Sequence, residues 1–295
     1  MLAEETGAEG AIDWSRDLRL VDRWMRSRLA RAVLDAERAI DERRFSDYAE
    51  LLYDLIWRDF CDWRLEALKP TIRDSAAQRA LLRVELDCVL RLTHPLCPFV
   101  TEVLWEQLQR LQGGEAPQGY DAQTHELLCL SAWPTIDEAW LDERAEADFA
   151  RLQALVGALR EARAQAGVSP KEKLTLHAPQ PLLDSFDADA LELIQSLAGL
   201  ARVQTAPAPA EGAIALTFEA QELALVGAAA AADRAAAVAK RLQELDASIQ
   251  RLKARLANPS YVEKAPAHLV EQTRSELARL EQERDTAQQA LGKGA

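Results

Sequence analysis

From Asp17 onward, apolar residues recur at three- and four-residue steps: Leu18, Val21, Met25, Leu29, Ala32, Ala36 and Ile40. That is the spacing of one helix face. Arg16, Arg19, Arg23, Arg26, Arg28 and Arg31 fall between them, as on a solvated face. A second helix is predicted from Ser46, an N-cap candidate, to Pro70. Tyr48, Leu51, Leu52, Leu55, Ile56, Phe60 and Trp63 cover most of its circumference, which predicts a central, buried helix. A third helix spans about Ser75 to Leu92 and is broken by His94-Pro95 and Cys97-Pro98. A fourth, TEVLWEQLQRL, ends at Gly113-Gly114. Residues 112–126 read as a surface loop, and 127–130 as a short extended piece. A fifth helix, Asp142 to Gln165, carries Phe149, Leu152, Val156, Leu159 and Arg163 on one stripe, with Gly167 and Pro170 as its stop. Long helices joined by short turns make a bundle.

The period then changes. Leu174, Leu176 and Ala178 alternate with polar residues. A helix over 187–197 follows, then strand-like ARVQT (201–205), AIALTF (213–218) and ELALV (222–226), with a turn at 207–212. This α/β unit is too small to be very stable alone. Beyond it a sharp heptad pattern begins. Ala235, Val238, Leu242, Leu245, Ile249, Leu252 and Leu256 alternate steps of three and four, and Val270, Thr273, Leu277, Leu280, Arg284, Ala287 and Leu291 repeat the pattern. Two equal seams joined by the loop ANPSYVEKAP predict an antiparallel coiled-coil hairpin. Each arm is about 25 residues, roughly 38 Å long. The predicted fold class is therefore mainly α, with a helical bundle, a small α/β unit and the hairpin. The predicted division is a flexible N-terminus over 1–13, the bundle over 14–170, the α/β unit over 171–227 and the arm over 228–295.

Charge and chemistry narrow the options. The net charge is −13, whereas nucleic-acid binders are usually basic. The charge is uneven, however. Residues 233–295 hold 11 Lys plus Arg against 9 Asp plus Glu, a net of +2, which leaves −15 for the rest. Phosphate contacts are then expected from local clusters or the C-terminal segment. No apolar run approaches the roughly 20 residues of a membrane span, and the acidic start MLAEETGAEG is unlike a secretory signal. A cytoplasmic protein is expected. Cys61, Cys88, Cys97 and Cys129 form no CxxC pair, so buried reduced thiols are expected and a zinc site is not. His94, His125, His177 and His268 stand apart, and no metal is expected. There is no GxxxxGK[ST], GxGxxG or GxSxG string, so no catalytic residues are assigned.

Five segments, in order, resemble valyl-tRNA synthetase. They are LVDRWMRSRL (20–29), RFSDYAELLYDLIWRDFCDWRLEALK (44–69), HPLCPFVTEVLWEQL (94–108), SAWP (131–134) with AGVSPKEKL (166–174), and RLANPSYVEKAPAHLVEQTRSELARLE (255–281). The second contains Tyr53, Asp54, Ile56, Trp57, Phe60, Cys61, Asp62 and Trp63, similar to a string of the branched-aliphatic class I synthetases. The resemblance covers the C-terminal anticodon-binding domain and coiled-coil arm of that family. The family's nucleotide-binding fold and editing domain would precede residue 1. His94-Pro95-Leu96-Cys97 and Ser169-Pro170-Lys171-Glu172-Lys173 only superficially resemble that fold's signature loops and read as structural.

The resemblance implies a tRNA(Val)-binding part of a valine–tRNA ligase. It would dock tRNA and recognise the anticodon for protein biosynthesis. ATP and Mg would be used by a catalytic portion elsewhere, so no cofactor is expected here. Implied partners are tRNA(Val) and that catalytic portion, with no membrane and a monomeric state. On the arm, candidate RNA contacts are Lys240, Arg241, Arg251, Lys253, Arg255, Tyr261, Lys264 and Arg274. Solvated coiled-coil flanks explain these cations equally well, and Tyr261 also suits a staple closing the loop onto Leu256 or Leu269. Arg284 occupies a seam position and is expected to snorkel. On the bundle, the candidates are Arg23, Arg26, Arg43, Arg44, Arg58 and Arg64. Trp24, Trp57, Trp63 and Trp105 are expected in the core. Two other functions fit the residues: a free-standing, non-catalytic RNA-binding paralogue, and a coiled-coil protein-interaction module.

Overall fold

The computed structural model describes residues 12–14, 16, 18–111, 117–121, 123–205, 213–227, 231–257, 261 and 267–293. The predicted flexible stretch 1–13 lies almost wholly outside these residues. The chain forms two compact units, Met1–Gln153 and Ala154–Ala295.

The first unit is helical. α1 (Leu20–Asp41) begins where Asp22 turns back to accept the backbone N–H of Arg19 at 2.9 Å, filling one of the open donors of a helix start. It ends at a turn in which Arg43 adopts φ 59°. α2 (Phe45–Tyr53) runs into a π-helical stretch, Asp54–Arg64, and then α3 (Leu65–Leu68). α4 (Ala76–Thr93) starts with the Ser75 hydroxyl accepting from the Gln78 backbone N–H at 3.2 Å. α5 (Pro98–Arg110) opens on proline, whose missing N–H is not needed at that position. Strands β1 (Tyr120–Asp121) and β2 (Thr135–Ile136) pair antiparallel. α6 (Glu143–Gln165) gives its first turns to this unit and the rest to the second. Phe149 of α6 stacks on Trp24 of α1 at 4.0 Å, and Trp63 meets the same ring edge-on at 6.1 Å. Leu90, Trp105, Leu108 and Leu128 pack a second cluster between α4, α5 and the chain after them.

The second predicted helix differs from expectation in two ways. It is not α-helical throughout, and it is buried on one face instead of all round. Winding of the i→i+5 type takes roughly 4.4 residues per turn. Over nine residues that returns Arg64 to the face of Leu55, whereas α-helical winding would put them on opposite sides. Leu55, Phe60 and Arg64 are accordingly all buried. Tyr53 and Trp57 lie on the other side and are 58% and 56% exposed. The expectation of a core Trp57 is therefore corrected. Apolarity round the whole helix does not bring burial all round, because neighbouring helices cover only one side.

Two smaller expectations also change. Residues 128–130 form a 3-10 turn and not an extended piece. Of the cysteines, only Cys88 is buried; Cys61 is half-buried, while Cys97 and Cys129 are exposed. Cys97 stands at the turn into α5, and Cys129 in the 3-10 turn, where its neighbour Leu128 takes the core position.

The second unit holds a four-stranded sheet of β3 (Leu174–Ala178), β4 (Leu200–Thr205), β5 (Ile214–Phe218) and β6 (Gln221–Val226), in the order β4-β3-β6-β5. The crossover through α7 (Gln180–Leu183) and α8 (Ala188–Leu197) makes β3 and β4 parallel, and the other pairs are antiparallel. The predicted turn at 207–212 lies outside the described residues. Phe149, Leu152, Val156, Leu159 and Arg163 of α6 are all buried, matching the predicted stripe. Finally, α9 (Ala231–Ala257) and α10 (Ala267–Lys293) pack against each other. Leu245, Ile249, Val270 and Thr273 of the predicted seams are buried. Ala235, Val238, Ala287 and Leu291 fall where side chains are not described.

Candidate nucleic-acid interface

The arginine row of α1 does not stand free in solvent. Arg28 binds Asp59 of the π-helical stretch at 2.8 Å. Arg31 reaches Glu146 of α6 at 3.0 Å, and Arg23 lies 3.6 Å from Asp142. Arg26 lies over the Trp140 ring at 4.5 Å. Burial lowers its pKa, opposed by Asp142 and Asp22. Most of this basic row therefore ties helices together. Burial also raises the pKa of Asp59, against the pull of Arg28.

Arg64 departs furthest from its predicted role. Its side chain is 0% exposed and bridges Asp22 of α1 at 2.5 Å and Glu85 of α4 at 2.8 Å. Gln78 donates to Asp22 at 3.3 Å, and Thr71 donates to Gln78 at 2.6 Å. Burial works against the guanidinium charge, but Glu85 and then Asp22 outweigh it and hold Arg64 above its usual pKa. Burial pushes the Glu85 carboxyl up, with Arg64 opposing. An enclosed guanidinium already held by two carboxylates has no path to a phosphate, so Arg64 is withdrawn as an RNA contact. It is the polar centre of the bundle.

The accessible cations lie elsewhere. Arg43, exposed at its left-handed turn, makes no ion pair among the described residues. Arg44 is held by Glu42 at 2.7 Å and by Asp47. Arg58 pairs with Asp54 at 3.1 Å and remains 70% exposed at its side chain. Alongside these run Phe45, Tyr53 and Trp57, all exposed, with the last two rings 6.3 Å apart. Sequence reasoning missed this row. Its signal was the four-residue stepping of Phe45, Ala49, Tyr53 and Trp57, opposite the stepping of Tyr48, Leu52 and Leu55. Exposed rings beside arginines can stack unpaired bases while the guanidinium groups meet phosphates.

On the arm, Arg251 donates to the Ser248 hydroxyl at 3.0 Å, and exposed Arg274 lies 3.6 Å from Glu271. Lys253 bridges the two helices to Glu281 at 2.7 Å. Arg255 covers the Tyr261 ring at 4.4 Å. The Tyr261 hydroxyl donates to the Leu269 carbonyl at 3.2 Å and lies 2.8 Å from the Thr273 hydroxyl. Tyr261 thus staples the hairpin loop. Arg284 is part-exposed at its seam position and binds Asp285 at 2.6 Å. The side chains of Lys240 and Arg241, and all of Lys264, lie outside the described residues.

The two loops that superficially resembled nucleotide-binding signatures are structural. The His94 ring lies 2.8 Å from the Thr101 hydroxyl across the α4–α5 turn. Arg163 at the end of α6 donates to the Glu172 carbonyl at 2.8 Å and the Ser169 carbonyl at 3.4 Å, pinning residues 169–172. Among the described residues, no group of His, Cys, Asp or Glu could hold a metal ion. No described helix is long and apolar enough to cross a membrane.

Residues 22–178 match the family described as the anticodon-binding domain of tRNA ligase, and residues 232–293 match the valyl tRNA synthetase tRNA binding arm. The chain belongs to the family of tRNA-ligase anticodon-binding domains. It is similar to the valine–tRNA ligase of Chromobacterium violaceum, 34% identical over 88% of this chain and 27% of that protein. Likeness to the Neisseria gonorrhoeae valine–tRNA ligase is 33% over 92% of this chain and 28% of the relative. The chain thus spans little more than a quarter of the length of the curated relatives it matches.

Proposed function

We propose that this chain docks tRNA(Val) for valine–tRNA ligase, with the bundle addressing the anticodon stem-loop and the arm lying along the tRNA body. The observation that carries this reading is the presence, in one chain, of an anticodon-binding bundle at 22–178 and the valyl-type arm at 232–293. Arg43 and Arg58, beside Tyr53 and Trp57, are the proposed bundle contacts. Arg23, Arg26 and Arg44 are already engaged and contribute less. Arg251, Arg255 and Arg274 are the proposed arm contacts, with Lys240, Arg241 and Lys264. Lys253 and Tyr261 serve chiefly to hold the hairpin. Aminoacylation, with its ATP and Mg, belongs in this reading to a catalytic portion. The proposed setting is the cytoplasm, and the proposed state is a monomer.

The test is binding of the purified chain to tRNA(Val) and to a panel of other tRNAs across a salt series. Preference for tRNA(Val), weakening steeply with salt, is expected. Equal binding to every tRNA, or none at low salt, would sink the reading. Valine-dependent exchange between ATP and pyrophosphate is expected to be absent. The net charge of −15 over residues 1–232 favours one second reading, a free-standing RNA-binding paralogue. Crosslinking in cells separates the two: tRNA(Val) supports the first, and a spread of other RNAs supports the second.

A further inference from the structure

One face of α5 is apolar and uncovered. Phe99, Val100, Val103 and Leu104 are 89%, 56%, 61% and 49% exposed. They occupy two i, i+4 rows, opposite Thr101, Trp105 and Leu108, which are buried against the bundle. Leu96, before the helix, and Leu127 and Leu130, after it, are also exposed. The Glu102 carboxylate accepts the backbone N–H groups of Leu128 at 2.8 Å and Cys129 at 3.3 Å. The Trp105 indole also donates to the His125 carbonyl at 3.2 Å, so the chain from His125 to Leu130 lies along α5. Four large apolar side chains on one helix face, with further exposed leucines before and after the helix, exceed the scattered exposure normal for a soluble surface.

The charges around the face select the kind of partner. No lysine or arginine lies among Leu96–Trp105 or Leu127–Leu130. Glu102 is turned onto backbone amides, and Arg110 further along is held by Glu106. RNA presents phosphates and needs cations to meet them, so this face does not suit tRNA. It suits apolar protein surface. The valine–tRNA ligases similar to this chain carry nearly three quarters of their length outside the matched region. That length provides an occupant which the tRNA-facing reading already requires.

We propose that the α5 face, centred on Phe99 and Val103, is the docking surface for the catalytic portion of valine–tRNA ligase. This rests on the proposed function. It adds that protein and RNA are met on different surfaces, the α5 face for protein and the Arg43–Trp57 row for RNA. A standard protein interface needs about 800 Å² from each partner, with apolar anchors at its centre, and Phe99 supplies such an anchor.

The experiment uses the 295-residue chain, the separately prepared catalytic portion of the same organism's valine–tRNA ligase, and two variants, Phe99→Asp and Val103→Asp. Wild-type tRNA(Val) binding is read first, because its absence would count against the proposed function and not against the face. Titration of the catalytic portion is then followed by sedimentation. Wild type is expected to bind, and each variant to bind at least tenfold more weakly, about 1.4 kcal/mol, with unchanged tRNA(Val) affinity and melting temperature. Both side chains point outward, so folding should survive. Equal binding by wild type and variants, or no binding by wild type, overturns the proposal. Self-association of the wild type that either aspartate abolishes also overturns it, because the occupant would then be a second copy.

Discussion

Arg64 and Trp57 lie in the same helical run and exchange the positions that residue type alone assigns them. The arginine is enclosed, and the tryptophan faces water. The apolar residues of this run were legible in the sequence, but which side of it the neighbouring helices cover was not. Nor were the carboxylates Asp22 and Glu85, brought from α1 and α4 to meet Arg64, because the local spacing of one helix says nothing about polar groups arriving from two others. Arg64→Ala would leave both carboxylates buried without a countercharge, which costs about 3–5 kcal/mol. A urea melt should show this loss, and a loss below about 1 kcal/mol would deny the network its role. Glu85 is held neutral more readily when folded than when unfolded. The stability tied to its protonation is present below the ordinary carboxylate pKa and fades as pH rises through the raised one. The deficit of Arg64→Ala should therefore shrink toward acid pH. Trp57→Ala should behave in the opposite manner. Its melting temperature should hold, while tRNA(Val) affinity should fall by roughly 1–3 kcal/mol if a base stacks there; unchanged affinity would remove Trp57 from the interface. Tyr48 offers a further pH reading. Its hydroxyl donates to the Leu92 carbonyl, and burial raises its pKa to about 12. The neutral form is the favoured one, so stability should drop between pH 10 and pH 12, by about 2 kcal/mol. Tyr48→Phe should start about 1 kcal/mol lower at neutral pH and lose less across that window. Parallel curves for the two proteins would deny the assignment.

At the scale of elements, the most regular patterns were the most legible. The heptads of α9 and α10 and the stripe of α6 depend on a period repeated over many turns, and tertiary context had little room to override it. The π-helical stretch was invisible, because its extra residue per turn answers to the burial of Leu55, Phe60 and Arg64 together, which only the packed bundle defines. The hairpin turn lay between these cases. Breakers located it, but whether Tyr261 faced RNA or its own loop depended on Leu269 and Thr273 lying within reach. Tyr261→Phe keeps the ring under Arg255 and loses only the hydroxyl bonds. It should loosen the start of α10 by about 1 kcal/mol. Tyr261→Ala should loosen it further by removing the cation–π contact as well. Amide exchange over residues 269–275 reads this directly. Equal protection in all three proteins would show that the heptads alone hold the turn.

For the whole molecule, the charge distribution sets the terms on which an acidic protein can bind a polyanion. Residues 233–295 carry +2 and the remainder −15, so the bulk of the chain repels tRNA at long range. Most bundle arginines are already satisfied by Asp59, Asp142, Glu146 and their neighbours. On the proposed reading, attachment rests on few phosphate contacts, with the exposed cations of the arm as their proposed providers. Affinity falls with salt at a slope of roughly 0.7–0.9 per phosphate neutralised. Replacing Arg251 and Arg274 together by Gln should therefore lower the slope for tRNA(Val) by about two and weaken binding to every tRNA alike. Arg43→Gln should lower it by about one. Salt titrations of the three proteins by filter binding decide the matter. If the arm variant keeps the wild-type slope, tRNA is held by the bundle despite its acidity, and the arm acts as a spacer. If the slopes change as expected, the arm anchors the RNA, and the exposed rings of Tyr53 and Trp57 are left to stack unpaired bases whatever their identity.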